Sequence, residues 1–305
     1  MQRRRSHLFI VIGAAVIVAL GIMAVPYYQN YVAPFNMAVV TVDDTQISMR
    51  YFLKRIKLSG SDPMTVLNNL TGEQVIKLAA PQYGIQVTDA DIDKQLRSMA
   101  GGGVDNISEA ELREWCRQQL NENNLSDSQY RDLVRTDLLA SRLQGYLAKR
   151  TPTLAERVHL NAIVVQTYEE AQKVVARLKA GESFSSVARE VSIDTSSKDK
   201  GGDLGWLPPA VLPFSAQISV LNINEVSEPI PYSSKPMSSF SPADEYLILM
   251  VSEKDSLRQL DANDLKILQS RALELWLPGE IQKHSIKYNM NSEILSWVER
   301  QLQKK

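Results

Sequence analysis

The stretch that decides the fold of this chain is Ser192-Ile193-Asp194, followed after a polar run by Gly201-Gly202-Asp203-Leu204-Gly205-Trp206. Paired glycines adopt positive φ angles that strain other residues, so Gly201-Gly202 predicts a tight turn that delivers Leu204 and Trp206 into an apolar surface. A short predicted helix precedes the turn, and apolar residues follow it. These flanking residues are Phe184, Val187 and Val191 before the turn, and Leu207, Leu212 and Phe214 after it.

Composition excludes several classes of function. The 305 residues allow two domains, and 44% apolar with 23% charged residues is ordinary for a folded soluble body. The net charge of −1, without clusters of Lys or Arg among aromatics, gives no reason to expect a nucleic-acid partner. A single cysteine, Cys116, cannot form an intramolecular disulfide.

The positions of the histidines and of possible nucleophiles argue against two further classes of site, metal centres and hydrolase active sites. His7, His159 and His284 are far apart in the sequence and have no neighbouring Cys or His at the spacing of metal ligands. We therefore expect no metal and no cofactor. A hydrolase is also disfavoured, because no Ser, Cys and His arrangement has motif context.

Residues 1–30 are predicted to anchor the chain in a membrane. An uncharged apolar run from Leu8 to Val25 is long enough to cover most of a hydrocarbon core. Arg3, Arg4 and Arg5 precede it and no Lys or Arg follows until Arg50, so the positive-inside rule places the amino terminus in the cytoplasm and the rest outside the cell membrane. A cleaved signal peptide is the alternative, but Pro26 and the tyrosines after it make a poor cleavage site.

Residues 37–150 are predicted to be mainly helical. A short strand from Met37 to Val42 opens the region, and three capping-type pairs then mark helix starts. These pairs are Thr88 with Asp91, Ser108 with Glu111, and Ser126 with Gln129. The last helix carries an apolar stripe that is either core or an open surface for unfolded chains, and the sequence leaves both readings open.

Residues 154–254 are predicted to form one compact α+β domain. A strand from Arg157 to Val165, a helix capped by Thr167 and a final strand from Tyr246 to Val251 give helices packed on a small sheet. Residues 259–305 follow as helices with a short extended piece, Ile286 to Met290, between them, and their apolar stripe needs a partner.

The compact domain resembles the parvulin-type (PpiC-like) peptidyl-prolyl isomerases. The resemblance lies in Ala180-Gly181-Glu182-Ser183-Phe184, Val187-Ala188, Val191 to Asp194 and Gly201 to Trp206, and it covers about a third of the chain. The overall layout also resembles the membrane-anchored PrsA-type and periplasmic SurA-type foldases. That resemblance implies a discontinuous all-helical chaperone domain, built from 37–150 and 259–305, with the parvulin-like domain and its antiparallel-type sheet inserted.

The resemblance implies a site as well. Leu204, Leu212 and Phe214 fall where the family builds its proline pocket, and we expect Trp206 and Tyr246 to contribute to substrate binding. Asp194 falls at the acidic or thiol position beside the twisting amide, which makes it the candidate catalytic residue.

Two family histidines are replaced in this chain. Alignment of the first and last strands puts Ala162 and Leu247 at these positions. His159 lies three residues before Ala162, so strand alternation predicts that it points to the opposite face unless a bulge intervenes. We therefore expect an apolar site with an isolated Asp194, in which isomerase activity is weak or lost while peptide binding persists.

The sequence thus predicts a membrane-anchored extracytoplasmic folding factor of the peptidyl-prolyl cis-trans isomerase class, with unfolded or newly exported polypeptides as partners. Two alternatives stay open at this point. One is a holdase chaperone without catalysis, and the other is a structural subunit that binds one fixed partner.

Overall fold

The structure is a computed structural model that describes residues 28, 32–102, 107–232 and 245–303. The predicted anchor at residues 8–25 lies outside these residues. Among the helices that are described, none combines the length and the apolar character needed to cross a membrane. The chain divides into two compact units: unit 1 comprises 1–145 and 276–305, and unit 2 comprises 146–275.

The α+β class is confirmed, with helices and two small antiparallel sheets. The helices are α1 (Ala33–Asn36), α2 (Met49–Ser59), α3 (Pro63–Ala79), α4 (Asp89–Ala100), α5 (Glu109–Asn123), α6 (Asp127–Ala148), α7 (Tyr168–Lys179), α8 (Phe184–Val191), α9 (Ser215–Val220), α10 (Ala262–Ser270), α11 (Ala272–Ile281) and α12 (Ser292–Gln303). The strands are β1 (Ala38–Val42), β2 (Thr45–Ser48), β3 (Leu154–Val165), β4 (Asp203–Leu207), β5 (Ile230–Tyr232), β6 (Glu245–Gln259) and β7 (Ile286–Tyr288).

Unit 1 contains a sheet, so the expectation of an all-helical domain was wrong. Strand β1 pairs with β2 on one side and with β7 on the other, in the order β2-β1-β7. Asp43, in the turn after β1, accepts hydrogen bonds from the His284 ring and the Ser285 backbone, which holds β7 in place. The sequence predicted an extended piece from Ile286 to Met290, which contains β7, but three residues are too few to show which strand they pair with.

Local signals correctly predicted the helix starts in unit 1. Thr88 and Ser108 form reciprocal capping boxes with Asp91 and Glu111. In each box the hydroxyl accepts the N3 amide, and the acidic side chain accepts the N-cap amide.

The apolar stripe of α6 is largely packed. Val134, Leu139 and Leu143 are buried, and Tyr130 and Leu138 pack against a cluster around Ile92. The structure therefore favours the core reading of this stripe over the open surface.

Unit 2 is built on a four-stranded antiparallel sheet in the order β4-β3-β6-β5. Successive side chains of a strand point to opposite faces, and here the two faces carry separate cores. Helices α7 and α8 cover one face, where they pack on Ile163, Val165 and Ile248. The other face presents alternate residues of β3 and β6 to α9 and to the candidate site.

Helix α10 is clustered with unit 2, although the sequence grouped it with the helical region. Arg157 of β3 is buried and donates to the Asp264 carboxylate of α10 at 2.6 Å, to the Gln259 carbonyl at 3.1 Å and to the Trp206 carbonyl. Arg271, just after α10, donates to the Val211 carbonyl at 2.7 Å. These contacts explain why unit 2 runs to residue 275, whereas the sequence placed its end at 254.

Candidate functional site

A cavity of about 430 Å³ opens on the sheet face opposite α7 and α8. Its floor consists of small and medium apolar side chains from the two central strands, and its rim combines aromatic and aliphatic residues with two carboxylates. The lining residues are Leu160, Ala162, Val164, Ile193, Asp194, Thr195, Ser196, Leu204, Leu212, Phe214, Tyr232, Glu245, Leu247 and Leu249. A concave, mainly apolar site with a few polar groups is the usual form of a ligand pocket.

Residues 192–202 form the loop beside this cavity, and both ends of the loop are fastened to β3. At one end the Ile193 amide donates to the Val164 carbonyl at 2.8 Å, and the buried Ser192 hydroxyl accepts the Val164 amide at 3.2 Å. At the other end the Gly202 carbonyl accepts the Ala162 amide at 2.8 Å. The loop therefore has little freedom at its base, and Asp194 is held next to the strand that lines the cavity.

Gly202 explains why the glycine pair is needed. Its φ is +82°, and a Cβ at this position would lie 2.4 Å from the Ala162 carbonyl oxygen. Gly201 has φ +73° and would place a Cβ 2.1 Å from the Ser185 hydroxyl oxygen. The pair thus combines left-handed backbone with a close approach to β3 and α8, as only glycine permits.

Asp194 is held by serines of its own loop. Its carboxylate accepts hydrogen bonds from the Ser196 amide at 3.1 Å, from the Ser196 hydroxyl at 2.8 Å and from the Ser197 hydroxyl. Partial burial alone would raise the pKa of Asp194, but these hydrogen bonds outweigh it and lower the pKa below its ordinary value. The carboxylate is therefore ionised near neutral pH and already occupied by hydrogen bonds.

Apolar side chains face the cavity at the two positions that align with the family histidines. Ala162 of β3 and Leu247 of β6 both line it. His159 lies on the other face of the sheet, where its Nδ1 is 2.9 Å from the Ser252 hydroxyl and its ring meets Trp206 edge-on. Within the described residues, no histidine lines this cavity.

Two register shifts occur near His159, yet alternation along β3 is preserved. The pairs His159–Glu253 and Leu160–Val251 leave Ser252 as the extra residue of β6. The pairs Leu160–Gly205 and Asn161–Asp203 leave Leu204 as the extra residue of β4. Because the additional residues belong to the partner strands, β3 keeps its period of two.

Three of the five residues expected to bind substrate lie together. Leu204, Leu212 and Phe214 line the cavity beside Asp194. Trp206 lies outside it, with its ring between His159 and the Arg258 guanidinium, which is 3.9 Å from the ring centroid.

Tyr246 also lies outside the cavity. It packs with the α7 and α8 core and against Tyr168, at 5.4 Å between ring centroids. Its neighbours Glu245 and Leu247 face the cavity instead, so strand alternation places Tyr246 on the opposite face.

Sequence reasoning missed Tyr232 and Glu245, which border the cavity. Tyr232 ends β5 and meets Phe214 edge-on, with 5.9 Å between ring centroids. Alternation from the buried Ile230 could have placed Tyr232 on the cavity face, because the two residues are separated by two positions.

Parts of the chain are similar to known proteins. A family profile described as "Rotamase: PPIC-type PPIASE domain" matches residues 160–236. The chain is 38% identical over 110 residues to the foldase protein PrsA of Clostridium tetani, which covers 35% of this chain and 30% of that protein. It is 28% identical over 167 residues to PrsA of Caldanaerobacter subterraneus, with 54% of this chain and 52% of that protein covered. A solved structure of PrsA from Bacillus cereus is 19% identical, with 88% of this chain and 92% of that chain covered and a TM-score of 0.35.

The chain thus spans between about a third and about half of the length of these two curated relatives.

Proposed function

We propose that this chain, a PrsA-like protein that carries a parvulin-type peptidyl-prolyl cis-trans isomerase domain, is a membrane-anchored extracytoplasmic folding factor that binds proline-containing segments of unfolded exported proteins. The observation that carries the proposal is the cavity in which Leu204, Leu212 and Phe214 gather beside Asp194. The apolar run at 8–25 supports the anchor, and its flanking arginines support the orientation.

The reaction needs no covalent step. Rotation about an X-Pro bond is opposed by a barrier of about 18–20 kcal/mol, because twisting removes amide resonance. A catalyst must hold the proline ring, withdraw water from the amide and bind the twisted form better than either planar form. An apolar floor of Leu160, Ala162 and Leu249 suits the first two tasks.

Polar groups in this cavity can assist rotation of the amide less than in a parvulin that keeps both histidines. The Asp194 carboxylate already accepts hydrogen bonds from the Ser196 and Ser197 hydroxyls. Leu247 and Ala162 offer no donor where the family has histidines. We therefore infer that isomerisation is slow for a parvulin, whereas binding of the proline segment is retained.

A refolding assay tests the proposal. A denatured protein whose refolding is limited by proline isomerisation is mixed with the full chain, and the slow phase is timed. We expect modest acceleration that changes little in Asp194→Ala, since no histidine among the described residues lines the cavity beside this carboxylate. We expect Phe214→Ala to remove most of it, because the aromatic wall of the cavity is lost.

Leu247→His is the matched gain-of-function variant, because it returns a polar donor to the cavity wall. Full parvulin-like acceleration by the unmodified chain, abolished by Asp194→Ala, would refute the inference of weak polar assistance. Absence of both acceleration and proline-peptide binding would refute the proposed function itself.

A further inference from the structure

A second hollow, of about 500 Å³, lies in unit 1 beside helix α2, and cations dominate its charge. Arg50, Lys54 and Lys57 line it together with Phe35. The three cations are spaced by four and three residues along α2, which places them on one helix face. The Arg50 guanidinium lies 6.0 Å from the centroid of the Phe35 ring, so one aromatic side chain is part of the same surface. We call these four residues the cationic hollow.

The cationic hollow has no internal counter-charge. Its remaining described lining residues are Leu53, Asn123, Asn124 and Gln301, none of which is acidic. Lys54 donates to the Gln129 side-chain oxygen at 3.1 Å, which is a neutral partner. Within the part of the chain that the structure describes, no carboxylate forms an ion pair with these three cations.

Among the residues of unit 1 that the structure describes, most of the other lysines and arginines form ion pairs with carboxylates. The pairs are Arg55–Glu73, Lys77–Asp132, Arg97–Glu109, Arg117–Glu114, Arg131–Asp93, Arg135–Asp89, Arg142–Asp91 and Lys283–Glu280. Because the chain as a whole carries a net charge of −1, three neighbouring cations without a carboxylate partner form a local excess of positive charge. An exposed cluster of this kind is suited to an external anion.

Chain length keeps the cationic hollow within reach of the bilayer. Only residues 26–31 separate the apolar run that ends at Val25 from Val32, the residue before α1. A fully extended chain advances at most about 3.5 Å per residue, so Val32 lies within about 25 Å of Val25. Phe35 follows three residues later and belongs to the hollow itself.

We propose that the cationic hollow binds the phosphate headgroups of anionic phospholipids in the bilayer that holds residues 8–25. The inference rests on the proposed anchor. Each Lys or Arg near an anionic surface strengthens the attraction about fivefold. The half-buried Phe35 adds apolar surface of the kind that membrane-surface segments present beside their cations. The hollow gives the chain a second, charge-selective contact with the membrane beside its apolar run.

The test uses the full chain reconstituted in vesicles of phosphatidylcholine alone or with phosphatidylglycerol. An uncharged, water-soluble acylating reagent is added, and mass spectrometry measures the rate of modification of Lys57. Lys94, an exposed lysine on α4, is the internal reference. We expect Lys57 to react several-fold more slowly, relative to Lys94, when phosphatidylglycerol is present. The amount of phosphatidylglycerol that gives half of this protection rises about fivefold in Arg50→Gln. The protection disappears at high salt, but stays unchanged in Arg113→Gln, a cation of α5 outside the hollow.

The outcomes of this test distinguish the headgroup contact from the membrane anchor. Equal relative rates for Lys57 in the two kinds of vesicle overturn the headgroup contact. Protection by inorganic phosphate in phosphatidylcholine vesicles also overturns it, because the ligand would then be a soluble anion. Release of the chain from vesicles by an alkaline wash would instead refute the anchor and, with it, this inference.

Discussion

Replacement of Gly202 by Ala tests whether the loop beside the cavity depends on a close backbone approach. Gly202 has φ +82°, and its added Cβ would lie 2.4 Å from the Ala162 carbonyl oxygen and 3.2 Å from both the Ala188 Cβ and the Phe184 ring. An alanine in the left-handed region costs about 1–2 kcal/mol. Overpacking of a well-filled site adds about 1–3 kcal/mol, so the total is about 2–5 kcal/mol.

Gly205→Ala is the matched control. Gly205 has φ +76°, but nothing lies within 4 Å of an added Cβ. Its replacement therefore carries only the conformational cost of about 1–2 kcal/mol. The two variants separate backbone strain from the collision with β3.

Hydrogen exchange of the full chain, resolved by peptide, measures the effect where it arises. We expect β3 amides, including Ala162, to open about five- to 150-fold more readily in Gly202→Ala than in Gly205→Ala, which corresponds to about 1–3 kcal/mol. Equal protection of β3 in the two variants would show that the close approach contributes nothing and would refute the reasoning.

Three further outcomes follow from the described contacts. Phe214→Ala should weaken binding of a proline-containing peptide about tenfold, as measured by calorimetry. Leu257 is 70% exposed and lies outside the cavity, so Leu257→Ala should leave binding unchanged. Equal losses of affinity in the two variants would contradict the assigned site. Ser197→Ala should raise the pKa of Asp194 towards its ordinary value of 3.8, as measured by an NMR titration, and an unmoved pKa would contradict the hydrogen-bond account. Because folding lowers this pKa, the contribution of Asp194 to stability is complete above 3.8 and is lost as the pH falls through the folded value. Gly145→Ala should stabilise α6 by about 0.5–1 kcal/mol in thermal unfolding, since this helical glycine has open space around its Cβ, and a destabilised variant would count against it.

Signals that act over a few residues predicted the most. The Gly201-Gly202 turn, the capping box at Thr167 and the alternation that turns His159 away from Ala162 are all present in the structure. Each depends on the conformation or period of a short segment, which the sequence carries in full.

Features that depend on distant partners were not predictable in the same way. The pairing of β7 with β1 and the attachment of α10 through Arg157 each join residues more than a hundred positions apart. Tyr246 shows a different limit, because a resemblance assigned it to the site although its neighbours Glu245 and Leu247 occupy the cavity side of β6.

The register of β3 and β6 has a consequence for how this protein can change in evolution. Leu154 and Gln259, the first residue of β3 and the last of β6, are paired across the ladder. Directly opposite residues of an antiparallel pair are only about 5 Å apart, so the chain arrives at the sheet and departs from it at one point. A deletion of the residues between them would therefore leave two chain ends that are already neighbours. The deletion would also remove Arg157, the partner of the buried Asp264 of α10, so the sheet and α10 can be gained, lost or exchanged only together.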